Sequence, residues 1–547
     1  MSEQLNLIMA QINPVVGDID GNVALIVETA QQAKQQYQAD IVVFPEMTLT
    51  GYPPEDLLFR PALYDQVEKA LSQLCNQVKD VVLVVGYPMM DELGERFNMA
   101  AWIGNGMIQA CYIKQNLPNY SVFDEKRYFS SGELPCVVDY KGIKFGLLIC
   151  EDIWKLSPTD QSVKAGADVL LSLNASPFSQ EKHQDRIEVV QRRVKEVKRP
   201  VIYVNQVGGQ DELIFDGGSF ATCAEGEVQV QGPEFQTGLI PVTLLKQAGA
   251  VAVQPGVQAP LYENEARIYQ ALVMGVRDYV HKNGFKGVLL GLSGGIDSAL
   301  TLAIAVDALG ADQVEAVMMP FRYTAPISLE DAAKQAHDMG VCYRSISIES
   351  IYSASEAALS EAFAGLEKDV TEENMQARIR GMLLMSLSNK TGKLVLATSN
   401  KSEVAVGYST LYGDMVGGFS PLKDVPKTWV YQLATYRNGI GEVIPERVIV
   451  RAPSAELRPE QTDQDSLPEY AELDVIIQAF VSEDKSPIEI ASTFGFDLEE
   501  VQRVTTMITR NEYKRRQAAP GVRISLRAFG RDRRYPITSR YREVETP

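Results

Sequence analysis

Three polar residues, Glu46, Lys114 and Cys150, each follow an apolar run, and together they have the chemistry to attack a carboxamide or nitrile carbon. The thiolate, not the thiol, is the nucleophile. Glu46, in FPE, has no packing reason to stand after the run Ile41–Phe44, and it could take the thiol proton as general base. Lys114, in CYIKQN, could stabilise the oxyanion of a tetrahedral intermediate and help lower the thiol pKa. Attack on a carboxamide would give a thioester and release ammonia. A lone cysteine after KFGLLIC otherwise reads as a small buried hydrophobe. The Glu and the Lys at comparable strand ends turn that reading toward catalysis.

A second constellation is the turn Gly291, Leu292, Ser293, Gly294, Gly295, Ile296, Asp297 and Ser298, between an apolar run and an alanine- and leucine-rich helical pattern. Gly294 and Gly295 permit close backbone approach to an anion. Ser293, Asp297 and Ser298 supply hydroxyls, a carboxylate and a helix N-cap beside amides that a helix start leaves unpaired. Such geometry cradles phosphates. No GK[ST] follows, so no lysine of the common nucleotide loop reaches a terminal phosphate. The aspartate in its place points to a magnesium ion bridging to the phosphates. The bland alternative is a glycine-rich connector.

These residues must be carried by an α/β framework. Short β-branched runs alternate with helical patterns throughout. Strands are expected at Ile41–Phe44, Val81–Val85, Lys144–Ile149, Val169–Leu173 and Val201–Val204, then at Gly287 onward, Glu315–Met319 and Leu394–Ala397. Ile187, Val190, Val194 and Val197 mark one face of an amphipathic helix. From Gln236 to Pro260 the pattern fades into Gly, Pro, Gln and Ala, which reads as a seam. The domains expected are 1–245, a linker 246–262, and 263–547. A length of 547 residues suits two or three cores. The net charge of −19 argues against nucleic acid as a partner, and no run is long enough to span a membrane. Six scattered cysteines without a CxxC pair point to the cytoplasm. Three histidines without metal-ligand spacing argue against a zinc site.

FPEMTLTGYPPEDLL, KQNLPNYSVFDEKRYF and LICEDIW resemble the Glu, Lys and Cys segments of the nitrilase superfamily, in its glutaminase branch. The resemblance implies an α-β-β-α sandwich, with Glu125 as an auxiliary carboxylate near the lysine. It also implies that Tyr120, Ser176 and Lys182 hold glutamine. Each has a plain alternative: a loop aromatic, a turn former and a solvated helix start. The turn at Gly291–Ser298 resembles the loop of ATP pyrophosphatases, which cleave between the α- and β-phosphates. With EENMQARIRGMLLMSLSN, LVLATSNKSEVAVGYSTLYGDMVGGFSPLKDVPK and NEYKRRQAAPGVRIS it is similar to the synthetase half of the glutamine-dependent NAD+ synthetase family. That similarity implies a Rossmann-like parallel sheet. It puts ATP at Gly291–Ser298, Thr398, Lys427 and Ser454. It puts deamido-NAD+ at Asn374, Glu403 and Lys514, and magnesium at Asp297 and Glu403. Glu403 is expected in a loop after a strand, and Asp414 could position substrate.

The expected activity is amidation of deamido-NAD+ through an adenylate, with ammonia from glutamine and a protected path for it between the two chemistries. The expected partners are these small molecules, and an assembly of identical subunits is anticipated. The segment from Lys514 to Arg542 holds ten Lys or Arg residues. Substrate phosphates or acidic surfaces of a neighbouring subunit suit it better than nucleic acid. Glu456 to Tyr470 reads as a mobile loop near the site or a passive surface loop. An amidotransferase for another acceptor, or a nucleotide-binding protein with dead loops, are the rivals.

Overall fold

The structure is a computed structural model that describes residues 3–247, 249–453, 456–458 and 461–541. The chain divides into two compact units, one up to Tyr262 and one from Glu263.

In the first unit, strands β1 (Glu3–Gln11), β2 (Ile41–Val43), β3 (Val82–Met90), β4 (Arg96–Gly104) and β5 (Met107–Ile113) belong to one sheet. A second sheet contains β6 (Val137–Tyr140), β7 (Ile143–Ile149), β8 (Val169–Asn174) and β9 (Val201–Asn205). A short hairpin follows, β10 (Val207–Gln210) with β11 (Leu213–Asp216); β12 (Phe220–Thr222) and β13 (Val228–Gln231) then extend the second sheet. β14 (Gly238–Gln247) and β15 (Ala250–Val253) return to the first sheet, whose order is β15-β14-β1-β2-β3-β4-β5. The second reads β13-β12-β9-β8-β7-β6.

Alternate residues of one strand enter different cores, because side chains leave a strand on opposite faces. Leu5, Leu7 and Met9 pack with Phe145, Leu147 and Ile149 between the sheets. Ile8 and Ala10 pack outward with residues of helices α1 (Ile19–Tyr37) and α2 (Pro61–Gln77). Leu148 and Leu170 pack outward from the second sheet, in one core with Val190 and Val194. Helices α3 (Leu156–Lys164) and α4 (Lys182–Val197) belong to that layer. The layers are α-β-β-α, and burial on both faces explains the unbroken apolar run KFGLLIC.

The stretch 236–260 departs from the expected seam. Ile240, Val242 and Leu244, then Val251 and Val253, are buried between the sheets, and β14 runs antiparallel to β1 from Gly238 to Lys246. The expected linker at 246–262 therefore begins as sheet. Its two-residue period was present beneath the Gly and Pro that suggested a connector.

The second unit has a four-stranded parallel sheet in the order β18-β17-β16-β19: β16 is Val288–Gly291, β17 Val314–Met318, β18 Cys342–Ser345 and β19 Leu394–Leu396. After α5 (Asn264–Lys282), β16 leads through the glycine turn into α6 (Ile296–Leu309), in which every residue from Ser298 to Ala305 is buried. Then come α7 (Pro326–Asp338), α8 (Glu349–Leu359) and α9 (Val370–Thr391). Tyr352 of α8 and Ile379 and Leu384 of α9 cover Leu289, Val317 and Val395 of the sheet. Because β17 and β19 flank β16, the winding reverses there, and such sheets bind ligands beyond the carboxyl ends of their strands at that point. Helices α10 (Lys401–Val406) and α11 (Lys427–Ile440) flank that end.

Several arginines of the basic C-terminal segment are paired within the chain. Arg515, Arg516 and Arg533 all reach Glu512, at 2.9, 3.0 and 2.7 Å. Arg523 pairs with Asp532 at 2.6 Å, and Arg527 with Asp484. Part of the acidic company of this segment is thus the chain's own, and three carboxylates leave positive charge on it. Among the described residues, no helix is long and apolar enough to cross a membrane.

Candidate functional site

In the first unit, folding brings the thiol, the lysine and the carboxylates together. Glu46 lies three residues past β2, Lys114 directly follows β5, and Cys150 directly follows β7 of the other sheet. Lys114 Nζ donates to Glu46 Oε1 at 2.7 Å and to both oxygens of Glu125 at 2.9 and 2.8 Å. Asn98 Nδ2 also donates to Glu46, at 2.7 Å, and so does the Ala175 amide, at 3.2 Å. The Tyr52 hydroxyl donates to Glu125 at 2.9 Å. All of these groups are buried.

Burial alone would push Lys114 down, but Glu125 and Glu46 hold it firmly as an ammonium. Burial drives Glu125 up to about 7 against the pull of Lys114, with Glu46 adding repulsion. The Cys150 thiol is driven well up by burial and by Glu46, and Lys114 acts downward without overcoming them. The expected help from Lys114 has the right sign and is outweighed. The resting thiol keeps its proton, so the chemistry needs a base at hand. Cys150 has φ of +45°, a left-handed backbone that a β-carbon disfavours and that is typical of strained, displayed nucleophiles.

Around the thiol, the Tyr120 hydroxyl donates to Glu151 Oε2 at 2.8 Å. Lys182 opens α4, with its ammonium 4.0 Å from the centre of the Trp154 ring, and burial lowers its pKa. Ser176 is already engaged: its hydroxyl and carbonyl accept from Arg186 at 3.1 and 2.8 Å, and its amide donates to Asn205 Oδ1 at 2.9 Å. Arg186 is buried, and its Nη1 donates to both carboxylate oxygens of Asp216 at 2.7 and 2.9 Å. A thiolate at Cys150 would raise Tyr120, Lys182 and Arg186 alike. Sequence reasoning missed Asn98, Tyr52, Arg186 and Asp216, whose partners lie far away along the chain. It also missed that His183 comes together with Asp216 and Glu234, ligand atoms within 4.8 Å of one another, although Asp216 is already paired with Arg186.

In the second unit the glycine turn connects β16 to α6. Gly294 has φ of +82°, and a β-carbon there would lie 2.4 Å from the Ser328 carbonyl oxygen, so only glycine fits. The helix N-cap is Gly295, not Ser298, which sits in the first turn with its hydroxyl donating to the Gly295 carbonyl at 3.0 Å. Ser293 Oγ lies 3.0 Å from Ser298 Oγ and accepts from the Gly295 amide at 3.2 Å. Lys427 Nζ stands between Asp297 and Glu403, paired with the first and 3.4 Å from the second. The two carboxylates raise Lys427 despite its burial, and burial with Asp297 lifts Glu403 to about 8 against the pull of Lys427. Asp297 and Glu403 offer hard oxygen donors of the kind that suits a magnesium ion. Asn400 Nδ2 donates to Asp297 Oδ1 at 2.8 Å, and Asn400 caps α10 in a reciprocal box with Glu403. Glu403 is therefore in the first turn of a helix, not in a loop. The N-x-x-E spacing of a capping box was the missed signal.

A cavity lined by Gly291, Ser293, Thr398, Arg380, Arg451 and Asp414 opens beside this cluster. Lys514 Nζ donates to the Gly407 and Ser409 carbonyls, both at 2.7 Å, and Asn374 Oδ1 accepts from the Thr410 hydroxyl at 2.7 Å. Asp414 accepts from the Thr410 amide at 2.6 Å. Asn374, Asp414 and Lys514 thus gather on one loop, 407–414. Ser454 lies outside the described residues. So does part of the expected mobile loop; within it Glu456 accepts from the Ser328 hydroxyl at 2.6 Å.

Residues 8–252 match the family model of carbon-nitrogen hydrolases, and residues 268–518 that of NAD synthase. The chain is 52% identical to the glutamine-dependent NAD(+) synthetase of Acinetobacter baylyi, over 99% of both chains. It is 43% identical to that of Thermotoga maritima, over 99% of this chain and 100% of the other. The solved structure of glutamine-dependent NAD+ synthetase from Acinetobacter baumannii, in complex with ADP, aligns over 98% of both chains with TM-score 0.80 and 50% identity. The two clusters fall one within each matched region. By its motifs, its two units and its likeness along the whole length, the chain belongs to the glutamine-dependent NAD(+) synthetase family.

Proposed function

We propose that this chain makes NAD+ from deamido-NAD+, using ATP and the amide nitrogen of glutamine. The observation that supports it most is the presence on one chain of both clusters, Glu46–Lys114–Glu125 around Cys150 and Asp297–Lys427–Glu403 beside the glycine turn.

Glutamine sits near Tyr120, Ser176 and Lys182, with its carboxamide carbon facing Cys150. Glu46 takes the thiol proton as sulfur attacks that carbon, and Lys114 steadies the oxyanion. The protonated Glu46 returns the proton to the departing nitrogen, so that ammonia leaves and a thioester remains. Water, deprotonated by Glu46, then cleaves the thioester to glutamate and restores the thiol. Glu125 holds Lys114 from the other side.

In the second unit, the turn Gly291–Ser298 and Thr398 cradle ATP, while Asn374 and Lys514 orient deamido-NAD+. The nicotinate carboxylate attacks the α-phosphorus and expels diphosphate, which leaves an acyl adenylate. Ammonia attacks the acyl carbon, AMP departs, and the carboxamide of NAD+ results. Asp297 and Glu403 would hold magnesium, which when bound neutralises phosphate charge. Lys427 keeps these two carboxylates together and lies where a phosphate oxygen would meet it. The substrates are small and soluble, and the reaction belongs in the cytoplasm.

The test is an assay with ATP, magnesium, deamido-NAD+ and glutamine, following NAD+ and AMP. Equal amounts of the two are expected. Absence of NAD+ would overturn the reading.

A further inference from the structure

Asp152 carries no role in the chemistry above, yet its carboxylate is the most heavily used acceptor near the thiol. It is fully buried, two residues after Cys150. Its Oδ2 accepts from the Ile149 amide at 3.0 Å and from the Tyr112 hydroxyl at 2.8 Å. Its Oδ1 accepts from the amides of Gln115 at 3.2 Å and Asn116 at 2.8 Å, and from Asn116 Nδ2 at 3.2 Å. Ile149 precedes the nucleophile at the end of β7. Tyr112, Gln115 and Asn116 bracket Lys114 at the end of β5. These strands belong to different sheets, which meet through apolar packing that fixes separation better than lateral register.

We infer that Asp152 is a positioning residue for the thiol chemistry, a buried clamp that fixes the turn carrying Lys114 against the turn displaying Cys150. The inference rests on the glutaminase reading of this site. Hydrogen bonds to a charged acceptor are short and directional, so five of them on one carboxylate set the lysine-to-sulfur geometry more tightly than van der Waals contact could. The neighbouring carboxylate, Glu151, turns the other way to Tyr120, so the pair in CEDIW divides two tasks. An asparagine at 152 keeps the shape but presents an NH2 where one oxygen stood, and a donor then faces the Ile149 or the Asn116 amide.

The experiment compares Asp152→Asn with the unaltered full chain in glutamine hydrolysis, counting competent sites by iodoacetamide alkylation of Cys150. Misplacement of the reacting groups by a fraction of an ångström to an ångström costs up to about 100-fold in rate. A fall in kcat per alkylatable site of about 10- to 100-fold is therefore expected, with glutamine KM little changed and ammonium-driven NAD+ synthesis intact. A purely structural role would instead lower the number of alkylatable sites and leave kcat per site alone, and that result overturns the inference. If Asp152→Asn does not fold, Tyr112→Phe decides. It removes one donor, and unchanged kcat per site in that variant is equally fatal. Failure of the unaltered chain to hydrolyse glutamine would strike the glutaminase reading and not the clamp.

Discussion

Glu125 shows most clearly how a residue can be kept for chemistry at the expense of stability. Three donor contacts, from Tyr52 and twice from Lys114, suit its ionised form, while burial and Glu46 drive its pKa up to about 7. Between its ordinary value of 4.5 and about 7, the folded chain binds a proton that the unfolded chain does not. The group therefore favours folding at low pH, and that contribution is lost as pH rises through about 7. Activity runs the other way. Protonation gives Glu125 a donor hydrogen where it must accept, and loosens its grip on Lys114. The kcat/KM for glutamine hydrolysis is expected to fall as pH drops through about 7. In Glu125→Gln that acid limb should vanish, with the rate at its plateau lower by up to about 100-fold. A pH–rate profile of both proteins checks this, and an unchanged acid limb in the variant refutes it.

Among the elements, the glycine turn before α6 makes the sharpest demand on sequence. It is pressed against the start of α7 so closely that Gly294 has no room for a β-carbon and needs a left-handed backbone. Gly294→Ala should strain the turn by about 1–3 kcal/mol and push it off Ser328. The expected outcome is a raised KM for ATP in ammonium-driven synthesis, with glutamine hydrolysis unaltered. A normal KM for ATP would show that the turn does not touch the nucleotide. The turn was plain in the sequence because its chemistry is local: glycines, hydroxyls and an aspartate in eight consecutive positions. Glu46, Lys114 and Cys150 were legible for a related reason, since each polar residue interrupts an apolar run. The resemblance assigned Lys427 to ATP, but its place as the cation between Asp297 and Glu403 was hidden, because the pairing with Asp297 spans 130 positions. Arg186 and Asp216 were hidden for the same reason, and β14 was masked by Pro241 and its glycine-rich flanks.

At the scale of the whole molecule, the two units should be chemically separable by single substitutions. Cys150→Ala removes the nucleophile and is expected to abolish glutamine-driven synthesis while sparing synthesis from added ammonium. Asp297→Asn weakens the carboxylate pair. It should lower AMP formation by about 100-fold or more while glutamine is still hydrolysed. Parallel assays of glutamate, AMP and NAD+ on the two proteins test both statements. Loss of both activities in either one would mean that the units do not work as separate centres. The division into two units follows from sequence because each brings its own pattern of strands and its own motif. The pairing of C-terminal arginines within the chain did not, since Glu512, Asp532 and Asp484 look in sequence like ordinary surface acids.

That C-terminal segment also bears on when the molecule becomes complete. Asp424 accepts from the Ile524 and Ser525 amides at 2.9 and 2.8 Å, and pairs with Lys401 at 2.8 Å. Lys401 lies between Asn400, which holds Asp297, and Glu403 on the same short helix. The tie beneath the carboxylate pair thus forms only after residue 525 has been made. The first unit has all its strands by Val253. During translation, the half that liberates nitrogen has these strands well before the half that spends ATP can close that tie.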